Sequence, residues 1–157
     1  MLNANLAEEF APLTGRLEPK WWTGTPAISP DLFVIDGNEF RVDGQPLIAS
    51  PELAERMQST FDKVGLVHVI NSGLDDLQAM RLVATQVLKN ERKYEGGANP
   101  RKIIEKNVYE VGAPLAASLH YHHEMAYIGS STTMVSFMAH KMPKVGGATF
   151  VSDNCQA

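Results

Sequence analysis

A chain of 157 residues with 44% hydrophobic content can bury the core of one domain. Its formal net charge of −4, from 14 basic and 18 acidic residues with no basic run, argues against nucleic acid as a partner. The longest apolar runs, such as residues 66–70, are too short to cross a bilayer, and a single cysteine, Cys155, excludes an internal disulfide and a cysteine-rich zinc site. The first nine residues lack the basic-then-apolar order of a signal peptide, so the expectation is a soluble cytoplasmic protein.

Residues 1–49 read as an irregular segment ending in a hairpin. Pro12, Pro19, Pro26 and Pro30 interrupt any long element. Trp21 and Trp22 either pack this segment onto the body or line a substrate pocket. Residues 32–35 and 39–42 flank Asp36-Gly37, a pair suited to a tight turn, which predicts a β-hairpin. Residues 50–95 read as helix, strand, helix. Ser50 can cap the first helix, Pro51 fits its first position, and Leu53, Met57 and Phe61 share a face that runs to about Lys63. Gly65 ends it, and residues 66–70 predict a buried strand in which His68 is a hydrogen-bonded core histidine. From Asp75 to about Leu88, Leu77, Met80, Val83, Ala84 and Val87 form the inward face of a second helix.

Residues 96–157 change character. A Gly-Gly-Ala-Asn-Pro loop at 96–100 precedes strand candidates at 107–111, 118–123, 133–140 and 148–152, with turns such as 143–147 between them. Several short strands divided by Gly/Pro turns predict a β-sandwich or barrel. The chemistry concentrates at Leu119-His120-Tyr121-His122-His123-Glu124-Met125. In an extended strand alternate side chains share a face, so His122 and Glu124 point the same way, with His120 beside them. An imidazole and a carboxylate side by side are two thirds of the 2-His-1-carboxylate set of non-haem Fe(II) oxygenases. A solvated face with no metal is the plain alternative. His140 reads as a packing or rim residue.

The run from His122 to Tyr127, followed by Pro143-Lys144-Val145-Gly146-Gly147-Ala148-Thr149 and Asp153, resembles the Fe(II)/2-oxoglutarate oxygenases of the taurine dioxygenase and clavaminate synthase-like superfamily. The syringomycin-type amino-acid hydroxylase branch is the most similar. The glycine-rich stretch before Arg101 and the helix–strand–helix around residues 65–71 also resemble that branch, so the likeness covers about residues 53–153. Residues 137–140, Phe-Met-Ala-His, depart from its Phe-Tyr-Cys-like strand.

The resemblance implies an α+β fold: a double-stranded β-helix, or jelly roll, with N-terminal helices, incomplete in this chain. It implies Fe(II), 2-oxoglutarate and O2 as cofactors and cosubstrates. His122 and Glu124 would be the first two iron ligands, Thr149 would hydrogen-bond the distal carboxylate of 2-oxoglutarate, and Arg101, with His120, would face an anionic group of a small-molecule substrate. The reaction implied is hydroxylation or desaturation of an unactivated C–H bond, with a free or carrier-bound amino acid as the substrate class. A carboxylate at position 124 disfavours halogenation, because related halogenases leave that iron position to chloride.

The third ligand, a distal histidine, and the arginine that pairs with 2-oxoglutarate are expected in a C-terminal half of the same domain. Residues 1–157 alone are therefore expected to be inactive, with unpaired sheet edges. A homo-oligomer is compatible with the sequence. Two rivals remain: a cupin-type metalloprotein using His120, His122 and Glu124 together, and a non-catalytic, truncated binding module.

Overall fold

The computed structural model describes residues 29–94, 101–110, 120–127, 129, 132–141, 144, 149 and 151–152. The expectations for Trp21, Trp22, the 96–100 loop, Gly146, Gly147 and Asp153 lie outside these residues. In chain order the elements are β1 (Val34–Asp36), α1 (Pro51–Val64), β2 (His68–Ile70), α2 (Leu77–Ala84), β3 (Ile103–Glu105) and β4 (Val108–Tyr109). No helix among the described residues is long and apolar enough to cross a membrane.

Local chemistry accounts for α1. The Ser50 hydroxyl accepts the Leu53 N–H at 3.2 Å, and Pro51 enters the first turn, where its missing N–H costs nothing. At the other end Gly65 takes a left-handed φ of +74°, and its N–H donates to the Phe61 carbonyl at 2.7 Å. Leu53, Met57 and Thr60, spaced at helical intervals, are buried. The α2 helix is shorter than its apolar period predicts. Asp76 caps it, accepting the Ala79 N–H at 2.8 Å, and the chain leaves the helix at Thr85. The inward face nevertheless continues to Val87, which is as buried as Val83.

The predicted hairpin at 32–42 is not formed. Instead β1 pairs in parallel with β2, in the register Val34↔His68, Ile35↔Val69 and Asp36↔Ile70. A parallel pair needs a crossover, which α1 supplies. After Asp36 the chain enters a short 3-10 helix over Gly37–Phe40, with the Asp36 carboxylate accepting the Asn38 N–H at 2.9 Å. The glycine serves close approach rather than a hairpin turn. A Cβ at Gly37 would lie 2.8 Å from the Ile70 carbonyl oxygen and 3.0 Å from that of Asn71. Arg41 closes the loop that follows, donating to the carbonyls of Gln45, Gly44 and Asn71 at 2.6, 2.8 and 3.2 Å.

The core lies where α1 and α2 meet this two-stranded sheet. Ile35, Leu47, Leu53, Met57, Val83 and Val87 are buried together, and Phe40, Val67, Val69, Leu74 and Met134 pack against them. Met134 comes from beyond residue 100. β2 is half-buried rather than buried, and His68 is exposed at its outer end, so the expected core histidine is a surface residue. Among the described residues the strand has β1 as its one neighbour.

Beyond residue 100 the described strands are β3 and β4, an antiparallel pair with register Ile103↔Tyr109 and Glu105↔Val108, turning through Asn107 at φ +61°. The strand predicted at 107–111 is thus present at Val108–Tyr109, and its partner β3 was not predicted. Residues 120–123 and 133–140, and Thr149, Val151 and Ser152, are not strand, contrary to expectation.

Candidate metal centre

Residues 120–127 bend at Tyr121 and turn over Glu124–Tyr127. Met125 explains why the stretch is a turn. It has a φ of +58°, yet its side chain is only 8% exposed and its sulfur accepts from the Thr132 hydroxyl at 3.2 Å. A left-handed non-glycine residue costs about 1–2 kcal/mol, and burying a methionine gains about 1.5–3 kcal/mol. Burial wins, so the turn is anchored by the side chain at its centre.

Within this turn His122 and Glu124 still meet. His122 Nε2 lies 3.5 Å from Glu124 Oε1. The other ring nitrogen, Nδ1, donates to the His120 carbonyl at 2.8 Å. A carbonyl can only accept, so Nδ1 carries a proton, and Nε2 is the ring nitrogen left facing the carboxylate. This hydrogen bond first, and the Glu124 carboxylate after it, hold His122 above its ordinary pKa of 6.5.

The second carboxylate oxygen is engaged elsewhere. Glu124 Oε2 accepts from Arg101 Nη2 at 2.8 Å, with the side chains 18% and 25% exposed. The Arg101 guanidinium lies over the Tyr94 ring, 4.8 Å from its centroid. Tyr94 is itself placed by Tyr109 at the end of β4. Their ring centroids are 5.5 Å apart, and the Tyr94 N–H donates to the Tyr109 hydroxyl at 2.9 Å. Tyr127, hydrogen-bonded to Tyr94, has its hydroxyl pushed above the usual 10.0 by that contact. A further tie joins this region to the helical part: both carboxylate oxygens of Glu91 accept from Arg81 of α2, one from Nε and one from Nη2, and Oε2 also accepts from Asn107 at 3.1 Å.

Of the residues singled out from sequence, the structure brings together His122, Glu124 and Arg101. Thr149 and His120 are exposed, and His120 meets the His122–Glu124 pair through its backbone carbonyl rather than its ring. No group of three His, Cys, Asp or Glu side chains able to hold a metal occurs among the described residues. His140 is exposed. Tyr94, Tyr109 and Tyr127 were not singled out. All four tyrosines of the chain, Tyr121 included, lie after residue 90 near Arg101 or Glu124, so the sequence does not single these three out.

The pair suits two adjacent positions on a divalent ion. With metal–oxygen bonds of about 2.1 Å, neighbouring donors on an octahedron lie about 3 Å apart, close to the separation seen. Nε2 and Oε1 are the atoms left facing one another, because Nδ1 and Oε2 are bound to other groups. Comparison of the chain with protein-family models, with curated proteins and with solved structures finds no match.

Proposed function

We propose that this chain carries the first two iron ligands of a non-haem Fe(II)/2-oxoglutarate-dependent oxygenase. The observation that supports this reading is the approach of His122 Nε2 and Glu124 Oε1 to 3.5 Å, with His122 Nδ1 tied to a backbone carbonyl. That second contact is typical of metal-bound histidine, whose other ring N–H is held by a carbonyl or carboxylate. The proposed fold for residues 96–157 is the first part of a jelly roll, which the resemblance of residues 122–153 suggests. In that family a distal histidine is the third ligand and an arginine pairs with 2-oxoglutarate, and both lie outside the region matched here.

In this reading His122 and Glu124 hold Fe(II), and Glu124 contributes the negative charge that offsets the ion. Fe(II) bound there, with 2-oxoglutarate and O2, would supply oxidation of an unactivated C–H bond, with succinate and CO2 as the coproducts. Thr149, a hydroxyl donor, binds the distal carboxylate of the cosubstrate. A carboxylate in the ligand set favours hydroxylation or desaturation, and the proposed substrate is a small molecule such as a free or carrier-bound amino acid. A cytoplasmic setting accords with the single cysteine.

The test is succinate formation from 2-oxoglutarate by the intact gene product loaded with Fe(II). Formation that needs both iron and 2-oxoglutarate, and disappears in His122→Ala, supports the proposal. Iron binding without any consumption of 2-oxoglutarate would point to a different metalloprotein.

A further inference from the structure

We propose that Arg101 is a positioning residue that acts on the metal through Glu124; the inference rests on the reading of His122 and Glu124 as iron ligands. Three observations carry it. First, Arg101 Nη2 binds only one of the two carboxylate oxygens, Oε2, and leaves Oε1 facing His122 Nε2. A carboxylate free to rotate could present either oxygen, or both, to an ion. Fixing one oxygen selects a single orientation of the other. Second, the guanidinium is itself held, seated 4.8 Å above the Tyr94 ring, and Tyr94 is braced by the Tyr109 hydroxyl at 2.9 Å. The clamp is therefore built from strand β4 and the end of the helical region rather than from the mobile side chain alone. Third, the Arg101–Glu124 pair is partly buried, at 25% and 18% exposure, where a charge-assisted hydrogen bond is stronger than at an open surface.

Two effects of Arg101 oppose each other. Its positive charge repels a nearby cation, which disfavours metal binding. Its hydrogen bond orients the ligand, and loss of such an outer contact commonly weakens metal binding by about 10- to 100-fold. The geometry favours the second effect, because the guanidinium contacts the oxygen turned away from His122.

The experiment is an anaerobic Fe(II) titration of the intact gene product by calorimetry, which reads affinity rather than activity. The expected result for Arg101→Ala is Fe(II) binding about 10- to 100-fold weaker than wild type. Arg101→Lys should recover part of that loss, since an ammonium keeps the charge but lacks the planar fork. Tyr94→Leu should weaken binding by a smaller factor. In a Glu124→Ala background, Arg101→Ala should cause no further loss, because the group it acts through is gone. Arg101→Ala binding Fe(II) as tightly as wild type, or more tightly, overturns the proposal. So does an equal loss in both backgrounds, which would mark a general structural role. If Arg101→Ala does not fold, Arg101→Lys decides: weaker binding supports the proposal and unchanged binding overturns it. The two layers of the argument separate cleanly. A wild-type protein that binds no Fe(II) removes the metal centre and this inference with it, whereas wild-type binding that is indifferent to Arg101 removes this inference alone.

Discussion

Residues 29–94 and residues 101–152 are held together by different physics. The first region has a dry core: Leu47 and Leu53 are almost completely enclosed, and both helices turn an apolar face toward a parallel strand pair. Among the described residues of the second, Val108 and Met125 are buried, and polar contacts tie the chain together: Arg101 to Glu124, His122 to the His120 carbonyl, Tyr94 to Tyr109. Apolar burial is non-directional and tolerates small shifts, whereas a hydrogen-bonded charge pair fixes the position of specific atoms. The contrast suits a scaffold that supports a site. It also separates the consequences of mutation: changes in the first region should act on stability, and changes in the second on ligand binding.

The largest expected effect lies in the second region. His122→Ala or Glu124→Ala should abolish Fe(II)-dependent turnover of the intact gene product; His122→Ala should shift its thermal midpoint little, because His122 is exposed, whereas Glu124→Ala also loses the partly buried pair with Arg101. A steady-state succinate assay beside a melting curve checks both halves of that statement. Full activity in either variant would remove that residue from the ligand set.

In the first region, Leu53→Ala should destabilise the fold by about 2–5 kcal/mol, the usual cost of emptying a fully enclosed leucine site. The same substitution at exposed Leu82 should cost less than about 0.5 kcal/mol. Urea unfolding compares the two. Similar midpoints would mean that the core does not carry the stability of this region.

Thr149→Ala sharpens the contrast from the other side. It should weaken 2-oxoglutarate binding by about 1.5–3 kcal/mol, the value of one hydrogen bond to a charged group, with Fe(II) affinity unchanged. Titration of the cosubstrate into iron-loaded protein measures it, and an unchanged affinity would free Thr149 from that role.

The smallest effect is a pH dependence at Asp36. Hydrogen bonds from the Asn38 N–H first and the Asn71 side chain next hold its carboxyl below the ordinary 3.8. A depressed carboxyl stabilises the fold above its unfolded pKa, and that contribution is lost as pH falls through the folded value. The stability difference between wild type and Asp36→Asn should therefore be constant at neutral pH and change only below 3.8. A difference that already changes between pH 5 and 7 would assign the effect to another group.

How far the sequence reveals this molecule depends on the range of the interaction. The ends of α1 were legible because Ser50, Pro51 and Gly65 act within one helical turn of themselves. The parallel pairing of β1 was not, because the constraint on Gly37 comes from the backbone of Ile70 and Asn71, more than a helix away in sequence. Asp36-Gly37 satisfies a hairpin turn and a close-packed strand end equally well, and only the partner decides. At the candidate site, His122 and Glu124 were legible as neighbours from their spacing, although the backbone that joins them is a turn. The strand period failed for His120, because the bend at Tyr121 breaks the alternation. The Arg101–Glu124 contact and the tyrosines around it are long-range and carry no periodic signal.

The central claim is that His122 and Glu124 hold Fe(II) for a 2-oxoglutarate-dependent reaction. The most direct measurement is the visible absorption of the intact gene product after anaerobic addition of Fe(II), before and after 2-oxoglutarate is added. The account predicts a charge-transfer band in the wild type that needs both additions, and no such band in His122→Ala. A wild-type protein that gives no band, or a His122→Ala protein that gives the same band, would contradict it.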